Sequence, residues 1–218
     1  NNKMRVWKDP DPYYDYMISC DVSLGRDRDY SAFHIINLYN GEQVAEFYSN
    51  KTPINEFAEI ISREATLYNT AYVVCERNTI GNNLIDWLYN NLEYENLWCD
   101  DTSNFGLQLT VKNRDSILAE LEEAARRNFI KVNSRRTIDE LFTFIVTDTG
   151  KVQADKGKPD DLVMSLAIGV HVYKSIMEGT PLEFMEKPNK NIDKMMPSKR
   201  SSKKYQGISK ENYKWLMS

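Results

Sequence analysis

The stretch YMISCD, residues 16–21, sets the architecture because it is an apolar run that ends in a carboxylate. A continuous run of this kind is typical of a strand that is buried on both faces of a sheet. Residues 30–38 alternate as a second strand, and the turn pair Asn40-Gly41 leads into a third strand at 43–49. We therefore expect three antiparallel strands, the first buried and the third nearer an edge.

The segments that follow predict a helix and then a strand parallel to the first. Pro53 suits the first turn of a helix, with Thr52 as its N-cap. Residues 71–75 form a fourth buried strand, and the intervening helix makes it parallel to the first strand. Further helices are expected at 82–91, 113–128, 134–146 and 161–178, with a short strand at 97–99, an extended piece at 129–132 and a hairpin or loop at 147–155. This order predicts an α/β fold with a central mixed sheet and flanking helices.

Composition divides the 218 residues into a lead-in, one domain and a tail. Residues 1–15 are polar and contain prolines, so we interpret them as a linker, and residues 16–180 hold the periodic segments of the domain. Residues 181–218 carry nine Lys or Arg against four Asp or Glu and form a basic tail within a chain of net charge −4. The three cysteines show no metal-binding spacing and are expected as free thiols in a reducing cytosol. No segment is long and apolar enough for a membrane span.

Carboxylates stand at the ends of three apolar runs, which is the pattern of a divalent-metal site. Asp21 ends the first strand, Glu76 ends the fourth, and Asp160-Asp161 precedes the last helix. Parallel neighbours would bring Asp21 and Glu76 to one edge of the sheet, where ligands bind in open α/β folds. Such oxygen ligands suit Mg²⁺ or Mn²⁺, and two such ions can promote phosphodiester hydrolysis.

Each acidic position also has a purely structural interpretation. Asp21 could bond a nearby turn, Glu76 could pair with Arg77, and Asp160-Asp161 could cap the helix and complement its dipole. The combination of all three on one architecture favours the metal site.

Three segments that contain these carboxylates resemble the nuclease motifs of the large terminase subunit of tailed bacteriophages, especially the T-even group. They are CDVSLGRDRDYSA at 20–32, VVCERNTIG at 73–81 and DDLVMSL at 160–166, and they occur in the family's order. The resemblance spans about residues 14–175. It implies an RNase H-like nuclease domain that cuts concatemeric phage DNA during genome packaging.

The resemblance also implies roles for individual residues. Asp21, Glu76 and Asp161 would be the catalytic, metal-binding triad, with Asp29 as an accessory carboxylate. Asp160 would share the third position, which the sequence does not divide between Asp160 and Asp161. Two departures are visible: Pro159 stands where the family often has a His, and Leu24 stands where an acidic residue can occur.

The resemblance further implies partners and a cellular location. DNA contacts would be independent of sequence and made by cations that neutralise phosphates. The partners would be double-stranded DNA, the portal protein, the small terminase subunit and the terminase ATPase domain. That ATPase domain is expected outside this chain, because the chain has no phosphate-binding G-x-x-x-x-G-K-[ST] loop. The isolated domain would be a monomer, with a ring forming only on the portal. It would have no membrane contact and would act in the cytoplasm of the infected bacterium at the prohead portal. The candidate DNA-binding cations are Arg26, Arg28, Lys112, Arg114, Arg135, Arg136, Lys151, Lys156 and Lys158.

Two other functions stay open at the level of sequence. Another RNase H-like nuclease, such as a junction resolvase or transposase core, would cut branched DNA in preference to plain duplex. A non-catalytic module that grips DNA or docks on the portal would bind without any metal-dependent cleavage.

Overall fold

A five-stranded mixed sheet forms the centre of the molecule. The computed structural model describes residues 3–23, 30–100, 104–148 and 150–178. The strands lie in the order β1-β4-β3-β2-β5, with β2 and β5 parallel and the other neighbours antiparallel. The three antiparallel strands and the parallel fourth strand of the sequence analysis are confirmed as β2, β3, β4 and β5. Their bounds are β1 Met4–Val6, β2 Tyr16–Asp21, β3 Ser31–Asn37, β4 Gln43–Ser49 and β5 Tyr72–Cys75.

Strand β1 lies inside the segment that was expected to be a lead-in. Met4, Arg5 and Val6 pair with Phe47, Glu46 and Ala45 of β4. The strand was not predicted because three residues are too short to show an alternating pattern. It covers the edge of β4, so β4 is one strand in from the edge.

Five α-helices of the described residues flank the sheet, and four of them begin one to three residues away from the predicted start. The helix at 54–67 has Pro53 at its N-cap and no side-chain cap bond, because the Thr52 hydroxyl donates to Ser49 Oγ instead. The second helix begins earlier than predicted, since the Asn78 side chain caps it by accepting from Ile80 and Gly81. Their bounds are α1 Ile54–Leu67, α2 Thr79–Asp86, α3 Val111–Arg126, α4 Arg135–Leu141 and α5 Asp161–Glu178, and α2 runs into a π-helical turn at Trp87–Asn91.

The helix predicted at 134–146 is shorter than expected. It ends at Leu141, and the chain then forms a hairpin of β6, Phe144–Val146, and β7, Val152–Ala154. The exposed β-branched residues of β6 favour a strand over a further helical turn. The predicted hairpin is confirmed and starts earlier. The strand predicted at 97–99 forms only isolated bridges, from Leu97 to Val73 and from Cys99 to Phe105.

Helices pack on both faces of the sheet, so its central strands are buried along almost their whole length. Alternate residues of β2 face opposite sides: Ile18 joins the core under α1, and Met17 joins the core under α3 and α5. Helix α5 crosses closely over β2, because a Cβ at Gly169 would lie 2.5 Å from Ser19 Oγ. This close contact fixes the start of α5 relative to the end of β2.

The state of the cysteines and the hydropathy of the helices are two further features of the described residues. Cys20, Cys75 and Cys99 are free, as predicted, and the buried Cys20 and Cys75 Sγ atoms lie 3.7 Å apart on neighbouring strands. None of the helices in the described ranges has the length and hydropathy required to cross a bilayer.

Candidate metal centre

The parallel pairing of β2 and β5 brings Asp21 and Glu76 together. Cys20 is in register with Cys75, so the residues that follow them leave the sheet side by side. The Glu76 amide donates to Cys20 O at 3.2 Å, which continues the ladder by one step. The sequence prediction that these two carboxylates share one edge therefore follows from the strand register.

The backbone around Glu76 is closely packed and leaves no room for a larger residue at the start of α2. A Cβ on Gly81 would lie 1.8 Å from Glu76 O, so glycine is required for this approach. The alternative of a Glu76–Arg77 pair does not describe this site: Arg77 pairs with Asp100 at 2.8 Å. The Glu76 carboxylate is thus presented toward the cavity described below.

The third acidic position lies at the beginning of α5, which is held by two buried side chains. His34 Nε2 lies 2.9 Å from the Leu162 carbonyl oxygen, and Glu140 Oε1 accepts from the Val163 amide at 2.9 Å. Asp161 is the first residue of the helix, and its Oδ1 accepts from the Tyr30 amide at 3.2 Å. Asp160 immediately precedes it and pairs with Arg114 at 2.7 Å.

A cavity of about 340 Å³ lies where these elements meet. Asp21, Glu76 and Asp160 line it, and so does Asp115 of α3, which the sequence analysis did not select. Two cations, Arg114 and Lys151, face the same space. The remaining lining residues are Leu109, Thr110, Val111 and Met164. The cavity therefore combines several carboxylate oxygens with two cationic groups.

The charges around the cavity act most strongly on Asp21. Burial raises the pKa of the Asp21 carboxyl well above its ordinary value, and the negative charges of Glu76, Asp161 and Asp160 raise it further. A hydrogen bond between the Asp21 and Glu76 side chains acts in the same direction. Crowded carboxylates of this kind share protons until a cation neutralises them.

The donor set suits a hard divalent cation, although the side chains are not assembled around one point. Within the described ranges, no three His, Cys, Asp or Glu side chains are grouped closely enough to hold an ion. Arg114 occupies one oxygen of Asp160, and the Tyr30 amide occupies one oxygen of Asp161. A second indication of fit is Asp115 Oδ1, which is buried and has no hydrogen-bond partner among the residues that the structure describes. Carboxylate oxygens match the requirements of a hard divalent cation.

The candidate DNA-binding cations fall into three groups in the structure. Arg114 and Lys151 line the cavity. Lys112, Lys156 and Lys158 are exposed side chains, on α3 and on the loop between β7 and α5.

The two arginines of α4 are engaged within the protein. Arg135 pairs with Asp139 one turn along the helix. Arg136 pairs with the buried Glu46 and lies 5.2 Å above the Tyr48 ring. The remaining predicted site residues, Arg26, Arg28 and Asp29, lie outside the described residues.

Two functional candidates were missed by sequence reasoning because neither stands at the end of a strand. Asp115 lies in α3 and Glu140 in α4, where acidic residues are common on helix surfaces. Burial and an acidic neighbourhood raise the pKa of Glu140 to about 7, despite bonds from the Val163 and Leu162 amides. Asp115 and Glu140 can be distinguished from ordinary solvated acids only when their helices are packed against the sheet.

Comparison with solved structures identifies the fold. The large terminase nuclease of thermophilic phage G20c with bound magnesium superposes with a TM-score of 0.66 at 21% identity, over 78% of this chain and 88% of that chain. Its cobalt-bound form gives a TM-score of 0.65 at the same identity and coverage. The large terminase nuclease domain of Thermus phage P74-26 gives 0.61 at 23% identity, over 77% of this chain and 84% of that chain. No protein-family profile matches the chain. The chain therefore has the RNase H-like fold of large terminase nuclease domains, as its sequence motifs predicted.

Proposed function

We propose that this chain is the metal-dependent DNA endonuclease domain of a viral terminase large subunit. It would cut concatemeric DNA with little sequence specificity during packaging of the genome into the prohead. The observation that carries the proposal is the arrival of carboxylates from β2, β5 and α5 at one cavity in this fold. The large terminase nucleases of similar fold include forms with bound magnesium and cobalt, which supports a divalent cofactor.

Four carboxylates would hold the cofactor, which we propose to be Mg²⁺ or Mn²⁺. Asp21 and Glu76 provide oxygens from the sheet, and the Asp160-Asp161 pair provides them from α5. Held by these carboxylates, two such ions would supply the Lewis-acid chemistry of phosphodiester hydrolysis, which favours in-line attack by water on phosphorus and departure of the 3′ oxygen. Burial and then the neighbouring negative charges raise the pKa of the Asp21 carboxyl, so proton binding and cation binding at this site should compete.

The cations of the cavity would position the DNA backbone. Arg114 and Lys151 stand beside the carboxylates, where they can contact the oxygens of the reacting phosphate. Arg135 and Arg136 form ion pairs within the protein. Among the described residues, no such pair is seen for Lys112, Lys156 or Lys158. We therefore assign the outer phosphate contacts to these three lysines. Such contacts carry no sequence information, in agreement with non-specific cutting.

The biological setting follows from the same proposal. The isolated domain would be a monomer, and in the whole protein it would be linked to a terminase ATPase domain, with the small terminase subunit and the portal protein as partners. It would act in the cytoplasm of the infected bacterium, at the prohead portal. The assignment to the T-even group and the division of the chain at residues 15 and 180 remain predictions from the sequence.

The test is linearisation of supercoiled plasmid in EDTA, Mg²⁺ and Mn²⁺. We expect metal-dependent cutting that is lost in both Asp21→Asn and Glu76→Gln. The exposed Glu59→Gln is the control and should cut like the wild type. Full activity in either site variant would exclude the proposed ligand set. A folded wild-type chain that cuts under none of these conditions would exclude the nuclease.

A further inference from the structure

Among the described residues that line the cavity, Asp115 is the one acidic residue that the proposed ligand set does not use. It comes from α3, whereas the other carboxylates come from β2, β5 and α5. Its Oδ1 is buried and has no hydrogen-bond partner in the described parts of the chain. A buried carboxylate oxygen without a hydrogen bond lowers the stability of a fold, so its presence calls for an explanation, such as a role in binding a cation.

Local structure offers no other task for this side chain. The beginning of α3 is already capped, because Thr110 and Asn113 form a reciprocal capping box. The neighbouring Arg114 directs its guanidinium to Asp160 Oδ2 and to Val152 O. Asp115 therefore serves neither as the helix cap nor as the partner of the adjacent arginine.

Helix α3 is anchored by buried side chains and an ion pair, which fixes the position of the Asp115 carboxylate. Ile117, Leu118 and Leu121 of the same helix are buried in the core that lies against α5. The Arg114–Asp160 ion pair adds a direct link between the start of α3 and the start of α5. Asp115 is thus held at the wall of the cavity by the same contacts that order the site.

We propose that Asp115 is a fifth cation-facing carboxylate of the metal centre, supplied by α3 and directed at a divalent ion or its bound water. This inference rests on the proposed function, because it takes the cavity to be the metal site. It predicts that Asp115 strengthens metal binding and that the fold does not need it when metal is absent. A merely structural carboxylate would behave in the opposite way.

The experiment is a calorimetric titration of Mn²⁺ into the 218-residue chain, with melting temperatures measured in EDTA. Asp115→Asn keeps the shape of the side chain and removes its charge. We expect its dissociation constant for Mn²⁺ to rise about tenfold or more, while its melting temperature without metal is equal to or above that of the wild type. Glu122→Gln is the matched control on the same helix, because that side chain is 72% exposed. It should leave both quantities unchanged.

Asp21→Asn separates failure of this inference from failure of the proposed function. If Asp21→Asn loses Mn²⁺ affinity and Asp115→Asn binds like the wild type, the role of Asp115 is refuted and the metal site stands. If neither variant changes affinity, the metal site itself is refuted. Asp115→Ser repeats the test with a smaller side chain should Asp115→Asn not fold. Loss of folding in both would also overturn the inference, since it would make Asp115 a structural residue.

Discussion

Glu140→Gln tests the electrostatics at the start of α5 quantitatively. The Glu140 carboxyl is buried and accepts hydrogen bonds from the first amides of α5, which carries the acidic pair of the site. Its pKa is raised from 4.5 to about 7, so between these values the folded state keeps a proton that the unfolded state releases. As the pH rises from 4.5, this group therefore lowers the free energy of unfolding, and the decrease is complete above pH 7.

The magnitude follows from the size of the shift. At about 1.4 kcal/mol per pH unit, the free energy of unfolding should fall by at most about 3 kcal/mol through this one group. Glutamine mimics the protonated acid and retains an oxygen for the Val163 amide, but it cannot ionise. The free energy of unfolding of Glu140→Gln, measured relative to that of the wild type, should therefore increase by about 2 to 3 kcal/mol between pH 5 and pH 8.5.

Urea unfolding in EDTA, followed by circular dichroism across this pH range, measures the difference directly. The exposed Glu59→Gln controls for the loss of a carboxylate in general and should differ from the wild type by a constant amount. A difference between Glu140→Gln and the wild type that stays constant with pH would refute the reasoning. It would mean that Glu140 is already ionised in the fold at pH 5.

Three further substitutions probe the packing of the site. Gly169→Ala places a Cβ 2.5 Å from Ser19 Oγ, and thermal unfolding should show a loss of about 1–3 kcal/mol; an unchanged melting temperature would contradict the close crossing of α5. Gly81→Ala places a Cβ 1.8 Å from Glu76 O and should lower the rate of plasmid cutting by shifting that backbone, whereas a wild-type rate would speak against it. Arg136→Ala strands a buried carboxylate and should cost about 3 kcal/mol in urea unfolding; a loss of DNA affinity without destabilisation would instead make Arg136 a DNA contact.

The order of elements and the end of the sheet that carries the site could be predicted from local patterns. An apolar run such as β2 is only stable with both faces covered, and the helix between β4 and β5 makes β5 parallel to β2. Those two facts place Asp21 and Glu76 at the same end of the sheet, and the register of β2 with β5 then places them side by side. The prediction from sequence was wrong where elements are short and their local patterns are weak, as at β1 and at the end of α4.

The tertiary structure alone decided which side chains share the cavity. Asp160 faces the cavity while Asp161 binds the Tyr30 amide, a distinction that adjacent letters in a sequence do not carry. The α3 carboxylate Asp115 and the α4 carboxylate Glu140 look like ordinary helix-surface acids until their helices are packed. The physical reason is that the residue at which a strand ends can be seen in the strand's own sequence pattern, whereas the rotation and depth of a helix depend on the elements packed against it.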